Sequence, residues 1–166
     1  MPVNTSIYTG ADGAISLSVP TGAEGDAAQG VLTAYDLISV GRVQSVRVEV
    51  KSEIKVYNEL GSRYPTQLRP GNVTITGTIG RAFINGALLK LLLGEAATSR
   101  PATSWVQPAF NITLLVENVA VPGVSSSVTL HDVKLNNWVY DLPEDDVVME
   151  SADFTALFID VGDAPS

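Results

Sequence analysis

Between Val46 and Tyr57 the chain reads VRVEVKSEIKVY. Val46, Val48, Val50, Ile54 and Val56 take the even positions, and Arg47, Glu49, Lys51, Glu53 and Lys55 take the odd ones. A period of two sustained over that length predicts a β-strand, from about Val43 to Tyr57, with one apolar and one charged face. Such a strand spans about 50 Å at ~3.3 Å per residue, which is long for a domain of this size. The segment VTITGTI (73–79) alternates again, setting Val73, Ile75 and Ile79 against Thr74, Thr76 and Thr78. Between them, NELGSRYPTQLRPGN (58–72) carries two prolines and two glycines and predicts an oversized loop. Together the three segments predict a large hairpin.

The remaining chain gives a coarser pattern. Ile15 to Val19 alternates as a short strand, and PTGAEGDAAQG (20–30) reads as a flexible loop. VLTAYDLISVG is ambiguous between helix and strand and ends at Gly41. INGALLKLLLGEA (84–96) predicts a helix with a broad leucine surface, Asn85 as its N-cap and Gly94 as its C-cap. A loop is expected over 97–108, and strands over 110–118, 127–142 and 147–161. A phase slip near His131 and Asp132 suggests a bulge. The second half of the last strand is apolar on both parities, so both its faces are expected to be covered. The sum is a single domain over 1–166, mainly β, a barrel or sandwich of roughly six to eight strands with one packed helix.

Composition adds one constraint. The chain is 45% hydrophobic and 17% charged, with a mean hydropathy of +0.20. That is apolar for a monomer and suits an oligomer that hides more surface. Lys90 interrupts the longest apolar run, so no transmembrane helix is expected. The opening MPVNTSIYTG lacks the basic and apolar regions of a secretory signal. There is no cysteine, so disulfide and thiolate chemistry are excluded.

The net charge of −8 is unevenly distributed. Residues 1–134 hold ten acidic and ten basic residues, and no Lys or Arg follows Lys134. The excess lies in the last fifth of the chain, including Asp141, Glu144, Asp145 and Asp146. Tight nucleic-acid binding requires clustered Lys and Arg, and this distribution argues against it.

No catalytic constellation stands out. His131 is the only histidine, and beside an Asp in a strand it reads as structural. GTIGRAFING has no Lys-Ser/Thr after its glycines and is not a phosphate loop. DLPEDD offers four carboxylates to a hard cation but lacks the spacing and the glycine of a calcium loop, so it reads as an exposed acidic turn. No catalytic residue, cofactor or metal is predicted.

The run VEVKSEIKVYNELGSRYPTQLRPGNVTITGTIGRAFINGALLKLLLG (48–94) resembles the middle of a phage tail tube protein of the contractile-tail kind, and FTALFIDV is similar to the closing strand of that family. The resemblance extends as a pattern over about 40–161. It implies a long extended hairpin that joins neighbours in a hexameric ring, with stacked rings forming a hollow inner tail tube through which DNA passes without tight binding. Arg47, Glu49, Lys51, Glu53, Lys55, Thr74, Thr76 and Thr78 would then face the lumen. Asn58, Glu59, Arg63, Tyr64, Gln67 and Arg69 would form the contact between rings. The acidic residues Asp141, Glu144, Asp145 and Asp146 would face the lumen or a surrounding sheath. The implied partners are the chain itself and tail sheath, baseplate and tail terminator proteins; the implied location is the virion tail, after assembly in the host cytoplasm. The family's lumen tends to be acidic, whereas the proposed wall here is charge-balanced. The competing readings are a type VI secretion or phage-derived injection tube carrying protein, a terminator or baseplate protein, and a monomeric ligand-binding barrel.

Overall fold

The computed structural model describes residues 7–36, 43–83, 85–117 and 123–164. Seven strands run in chain order: β1 (Gly13–Ser18), β2 (Val43–Tyr57), β3 (Gln67–Ala82), β4 (Phe110–Glu117), β5 (Ser125–Asp141), β6 (Met149–Ala156) and β7 (Phe158–Ala164). Two α-helices, α1 (Ala23–Tyr35) and α2 (Ala87–Leu93), pack on them. The strands form one curled antiparallel sheet in the order β1-β4-β5-β6-β3-β2, with β7 also paired to β5.

The 17-residue β5 organises the sheet. Its first half lies between β4 and β7, and its second half pairs with β6. The expected bulge is present: Phe110 pairs with Val133 and Ile112 with Leu130, so His131 and Asp132 together oppose Asn111. Asp132 takes the left-handed φ of 52°, and its N–H donates to the Asn111 side chain at 3.1 Å. This kink turns the strand from one part of the sheet into the other.

The expected final strand is two strands. The chain breaks at Leu157, whose N–H donates to the His131 carbonyl, and both pieces follow β5. Full coverage of the closing segment is not found in the single subunit. Leu157, Phe158 and Val161 are each more than half exposed, and among the described residues only β5 pairs with β7.

The clearest correction lies in the segment expected as a loop over 20–30, most of which is helical in α1. Gly25, Ala28 and Leu32 fall at helical spacing and are buried. A Cβ on Gly25 would lie 1.9 Å from the Pro20 carbonyl oxygen, so glycine is what lets the first turn rest on Pro20. Glu24 and Asp26 occupy the positive N-terminal end, and Asp36 closes the helix in the left-handed conformation. Among the described residues the fold therefore carries two packed helices rather than one. The helix expected over 84–96 is α2 followed by a 3-10 turn, Gly94–Ala97. Gly94 ends α2 as expected; Gly86 is the N-cap residue, and the Asn85 side chain instead accepts the Ala87 N–H at 3.1 Å. The hydrophobic core fills the curl, with Ile15, Leu17, Ile75, Ile79, Phe110, Ile112, Leu130 and Phe154 meeting Leu32, Leu88 and Leu91 of the helices.

Candidate functional site

Four strands, in the order β5-β6-β3-β2, present one polar face. Directly paired residues of an antiparallel sheet share a face, so the register assigns its members. Arg47 pairs with Thr78, Glu49 with Thr76 and Lys51 with Thr74. Thr76 and Thr78 pair in turn with Thr155 and Asp153, and Asp153 pairs with Asn137. Of the sequence-derived set, Arg47, Glu49, Lys51, Lys55, Thr74, Thr76 and Thr78 thus occupy one continuous surface that β6 and β5 extend, while Glu53 lies at a bulge and has no paired residue on β3. Arg47 and Glu49 form an exposed ion pair at 3.6 Å. The Asn137 amide donates to Asp153 at 2.9 Å and the Thr78 hydroxyl at 2.7 Å. These bonds, that of Asn137 foremost, hold the Asp153 carboxyl below its ordinary 3.8 although partial burial pushes it up.

Beneath this surface, Gly77 makes close packing possible. A Cβ there would come within 2.3 Å of both the Arg47 carbonyl oxygen and the end of the Phe154 ring. Phe154, fully buried and paired with Gly77, supplies the ring.

The hairpin runs well past the rest of the sheet. β6 pairs with β3 only from Ile75 to Ala82, so Gln67–Thr74 and the facing part of β2 project alone. At ~3.3 Å per residue the projection is about 26 Å long. Its even face on β2 is uncovered: Ile54 and Val56 are more than half exposed, as are Leu68 and Val73 on β3 and Val50 at the base of the projection. Val46 and Val48, nearer the body, pack against the core.

A β-bulge lies within the projection. Ser52 pairs with Val73 and Ile54 with Pro70, so β3 has one more residue than β2 over that interval. The Asn72 N–H left over donates to the Glu53 carboxylate at 3.3 Å, and Gly71 leaves room for that side chain. The extra residue reverses parity on β3. Leu68 and Pro70 therefore join the apolar face, while Arg69 and Gln67 pair with Lys55 and Tyr57 on the polar face. The sequence reading placed Gln67 and Arg69 in the loop; the structure places them in β3. The tip proper is 58–66, where Asn58, Glu59, Arg63 and Tyr64 are exposed and the Thr66 N–H returns to the Tyr57 carbonyl.

The four-stranded part has two free edges among the described residues. No strand pairs with the far side of β2, and β4 leaves β5 at Val133, so Lys134–Asp141 pairs only with β6. Near the start of this second edge the Gln107 side chain donates to the Leu135 carbonyl.

Sequence reasoning missed a charged network under the end of the sheet opposite the hairpin tip. Arg81 and Glu150 are fully buried and paired, Trp138 donates to Glu150 at 2.9 Å, and Arg81 reaches the Asn85 side chain at 3.2 Å. Among the described residues the Arg81 Nη1 has no partner. Both charges sit within strongly alternating strands, and only their register brings them together. At the same end, Asp141 closes β5, and Glu144, Asp145 and Asp146 lie in the exposed turn before β6. Among the described residues no three carboxylates or histidines converge on a metal position. The acidic partner of His131 is Asp160 on β7, at 2.8 Å, and the imidazole stacks on Phe158.

The fold is that of contractile-injection and phage-tail tube structures, in agreement with the resemblance read from 48–94. The sequence matches no protein-family model and no curated protein. A chain from the PVC sheath/tube terminator of an extracellular contractile injection system, in its extended state, aligns with a TM-score of 0.64 at 11% identity, over 97% of this chain and 99% of that one. One from the tube-terminating cap of the anti-feeding prophage gives 0.65 at 11% identity, over 99% and 96%. The SPP1 tail tube gives 0.57 at 11% identity, over 95% and 80%. At such identities the likeness is one of fold.

Proposed function

We propose that this chain is a non-enzymatic, structural subunit of a tail-type tube: it closes into hexameric rings, the rings stack, and the polar face of β5-β6-β3-β2 lines the channel. The observation that carries this reading is the pair of free edges on a four-stranded antiparallel sheet. With an even strand number, β2 and β5 run in opposite directions. A neighbour's β5 edge can therefore extend the antiparallel order beside β2 without inverting the neighbour. Ring closure removes both edges, which in a monomer would be an aggregation hazard. It also sets a mainly polar surface, with Val139 as an apolar exception, against the solvent of the channel.

On this reading the tube sits in a virion tail, is assembled in the host cytoplasm, and has sheath, baseplate and terminator proteins as its partners. DNA is its cargo, and the mixed-sign wall stays hydrated without gripping phosphates. A second reading, a contractile injection tube with protein cargo, is favoured by Arg69, which the bulge adds to an already non-acidic face. Negative-stain microscopy of the concentrated protein tests the tube. Hollow rods of uniform width are expected, and folded protein that stays dispersed even with preformed tube ends overturns it. Release of DNA or of protein from purified particles then separates the two cargoes.

A further inference from the structure

The connection from β3 to α2 holds the only Asn-Gly pair in the sequence, Asn85–Gly86. In such a pair the main-chain nitrogen of the glycine can approach the side-chain amide carbon before it, because glycine puts no Cβ in the way. Gly86 stands in open space: a Cβ there would meet nothing within 4 Å, and its φ is −85°. Asn85 is only partly buried, so water reaches it.

The amide carbonyl that would be attacked is already polarised. Its Oδ1 accepts from the Ala87 N–H at 3.1 Å and from Arg81 Nη2 at 3.2 Å, and Nη2 also lies 3.5 Å from the main-chain carbonyl oxygen of Asn85. The buried pairing with Glu150 holds the guanidinium in place. These donors sit where negative charge builds up on Oδ1 as Cγ is attacked. The same guanidinium supplies a second, independent observation. Arg81 Nη1 is buried and has no partner among the described residues. Nη1 and Nη2 together form one side of the guanidinium fork, which fits two carboxylate oxygens. An asparagine side chain offers one acceptor oxygen and one donor nitrogen, whereas an aspartate offers two acceptors.

We propose that Asn85 is a self-modification site: the folded subunit slowly converts it to an aspartate, whose carboxylate then occupies the Arg81 fork. The Gly86 nitrogen gives its proton to a solvent base and bonds to Asn85 Cγ. The Cγ–Nδ2 bond breaks, and Nδ2 takes up a proton and leaves as ammonia. Water then adds to the cyclic imide at Cγ and breaks the bond from Cγ to the Gly86 nitrogen, which regains its proton. An aspartate on an intact main chain remains. Water is the sole co-reactant, and nothing is oxidised or reduced. Opening at the main-chain carbonyl would instead leave an isoaspartate and lengthen the backbone just ahead of Ala87 and Leu88. Both of those residues are packed without slack in the core, so the fold favours the aspartate. The site stands whether or not the subunit builds a tube.

The test ages the full chain at mildly alkaline pH in two portions, one folded and one unfolded in urea. Both are then digested with trypsin under mildly acidic conditions, which arrest the reaction. Cleavage after Arg81 and after Lys90 releases a peptide in which Asn85 is the sole asparagine. Liquid chromatography with mass spectrometry separates its amide, aspartate and isoaspartate forms. The folded portion is expected to convert with aspartate in excess, and the unfolded portion with isoaspartate in excess. Gly86→Ala, which the open space accommodates, should slow conversion of the folded protein several-fold. Asn85→Asp should melt above the native protein at neutral pH and lose that advantage as pH falls through the carboxylate range, since a carboxylate received by Arg81 has a depressed folded-state pKa. Retention of Asn85 in the folded portion while the unfolded one converts overturns the proposal, and so does an excess of isoaspartate in the folded portion. An Asn85→Asp variant that melts below the native protein also overturns it, because Arg81 then does not receive the product.

Discussion

The near and far halves of the β2–β3 hairpin share one alternation of apolar and polar residues and meet opposite surroundings. In the near half, Val46, Val48, Ile75 and Ile79 face a core closed by Phe154 and the two helices. In the far half, Val50, Ile54, Val56, Leu68 and Val73 repeat the pattern into open space. An alternating pattern records which face is to be covered and says nothing of whether the cover belongs to the same chain. The contrast between the halves therefore marks where the fold stops covering its own apolar face; on the proposed reading, a neighbouring subunit covers the rest.

The contrast can be broken or sharpened by substitution, and the largest effects belong in the near half. Phe154→Ala should cost about 3–5 kcal/mol by urea unfolding, since it empties the ring's site in a core with no slack. Glu150→Ala should cost a similar ~3–5 kcal/mol, because it leaves Arg81 buried and uncompensated. A loss under about 1 kcal/mol at Glu150 would show that water reaches the pair. Gly77→Ala should cost about 1–3 kcal/mol or prevent folding, as its methyl group meets the Arg47 carbonyl and the Phe154 ring.

Smaller effects are expected at the polar face. The folded-state pKa of Asp153 is depressed, so its carboxylate contributes stability that is present above the ordinary value of 3.8 and is lost as pH falls through that value towards the folded pKa. The gap in urea midpoint between the native protein and Asp153→Asn should accordingly be widest near neutrality and shrink below pH 4. A gap independent of pH would mean that the amide, not the charge, decides it. The smallest effect belongs to the far half. Ile54→Ala should change the melting of the dilute monomer by less than about 0.5 kcal/mol, yet weaken assembly at high concentration. Val50→Ala should behave like Ile54→Ala in the monomer, and unlike Val48→Ala, which loses core contact.

The same contrast shows what the sequence could and could not reveal. β2 was legible at both ends, from Val43 to Tyr57, because apolar and charged residues alternate along it with a period of two. The polar face was legible for the same reason. The assignment of Gln67 and Arg69 failed because a bulge at Gly71 and Asn72 looks, in one dimension, like the turn chemistry of a loop. α1 was hidden because Gly22, Gly25 and Gly30 signal flexibility locally, while the reason for Gly25 is the Pro20 carbonyl pressed against it. The pairing of Arg81 with Glu150 depends on a register between strands 69 residues apart in sequence, and no local pattern encodes it.

The bulge also constrains how this hairpin could change over generations. Removing one residue at Gly71 or Asn72 would exchange the sides of everything on β3 towards the tip, sending Arg69 to the apolar face and Leu68 to the polar one. The strand pair can lengthen or shorten there only in matched two-residue steps. A lineage that needs a longer reach must insert equal pairs on both arms, while point substitutions on the charged side remain free to retune that face.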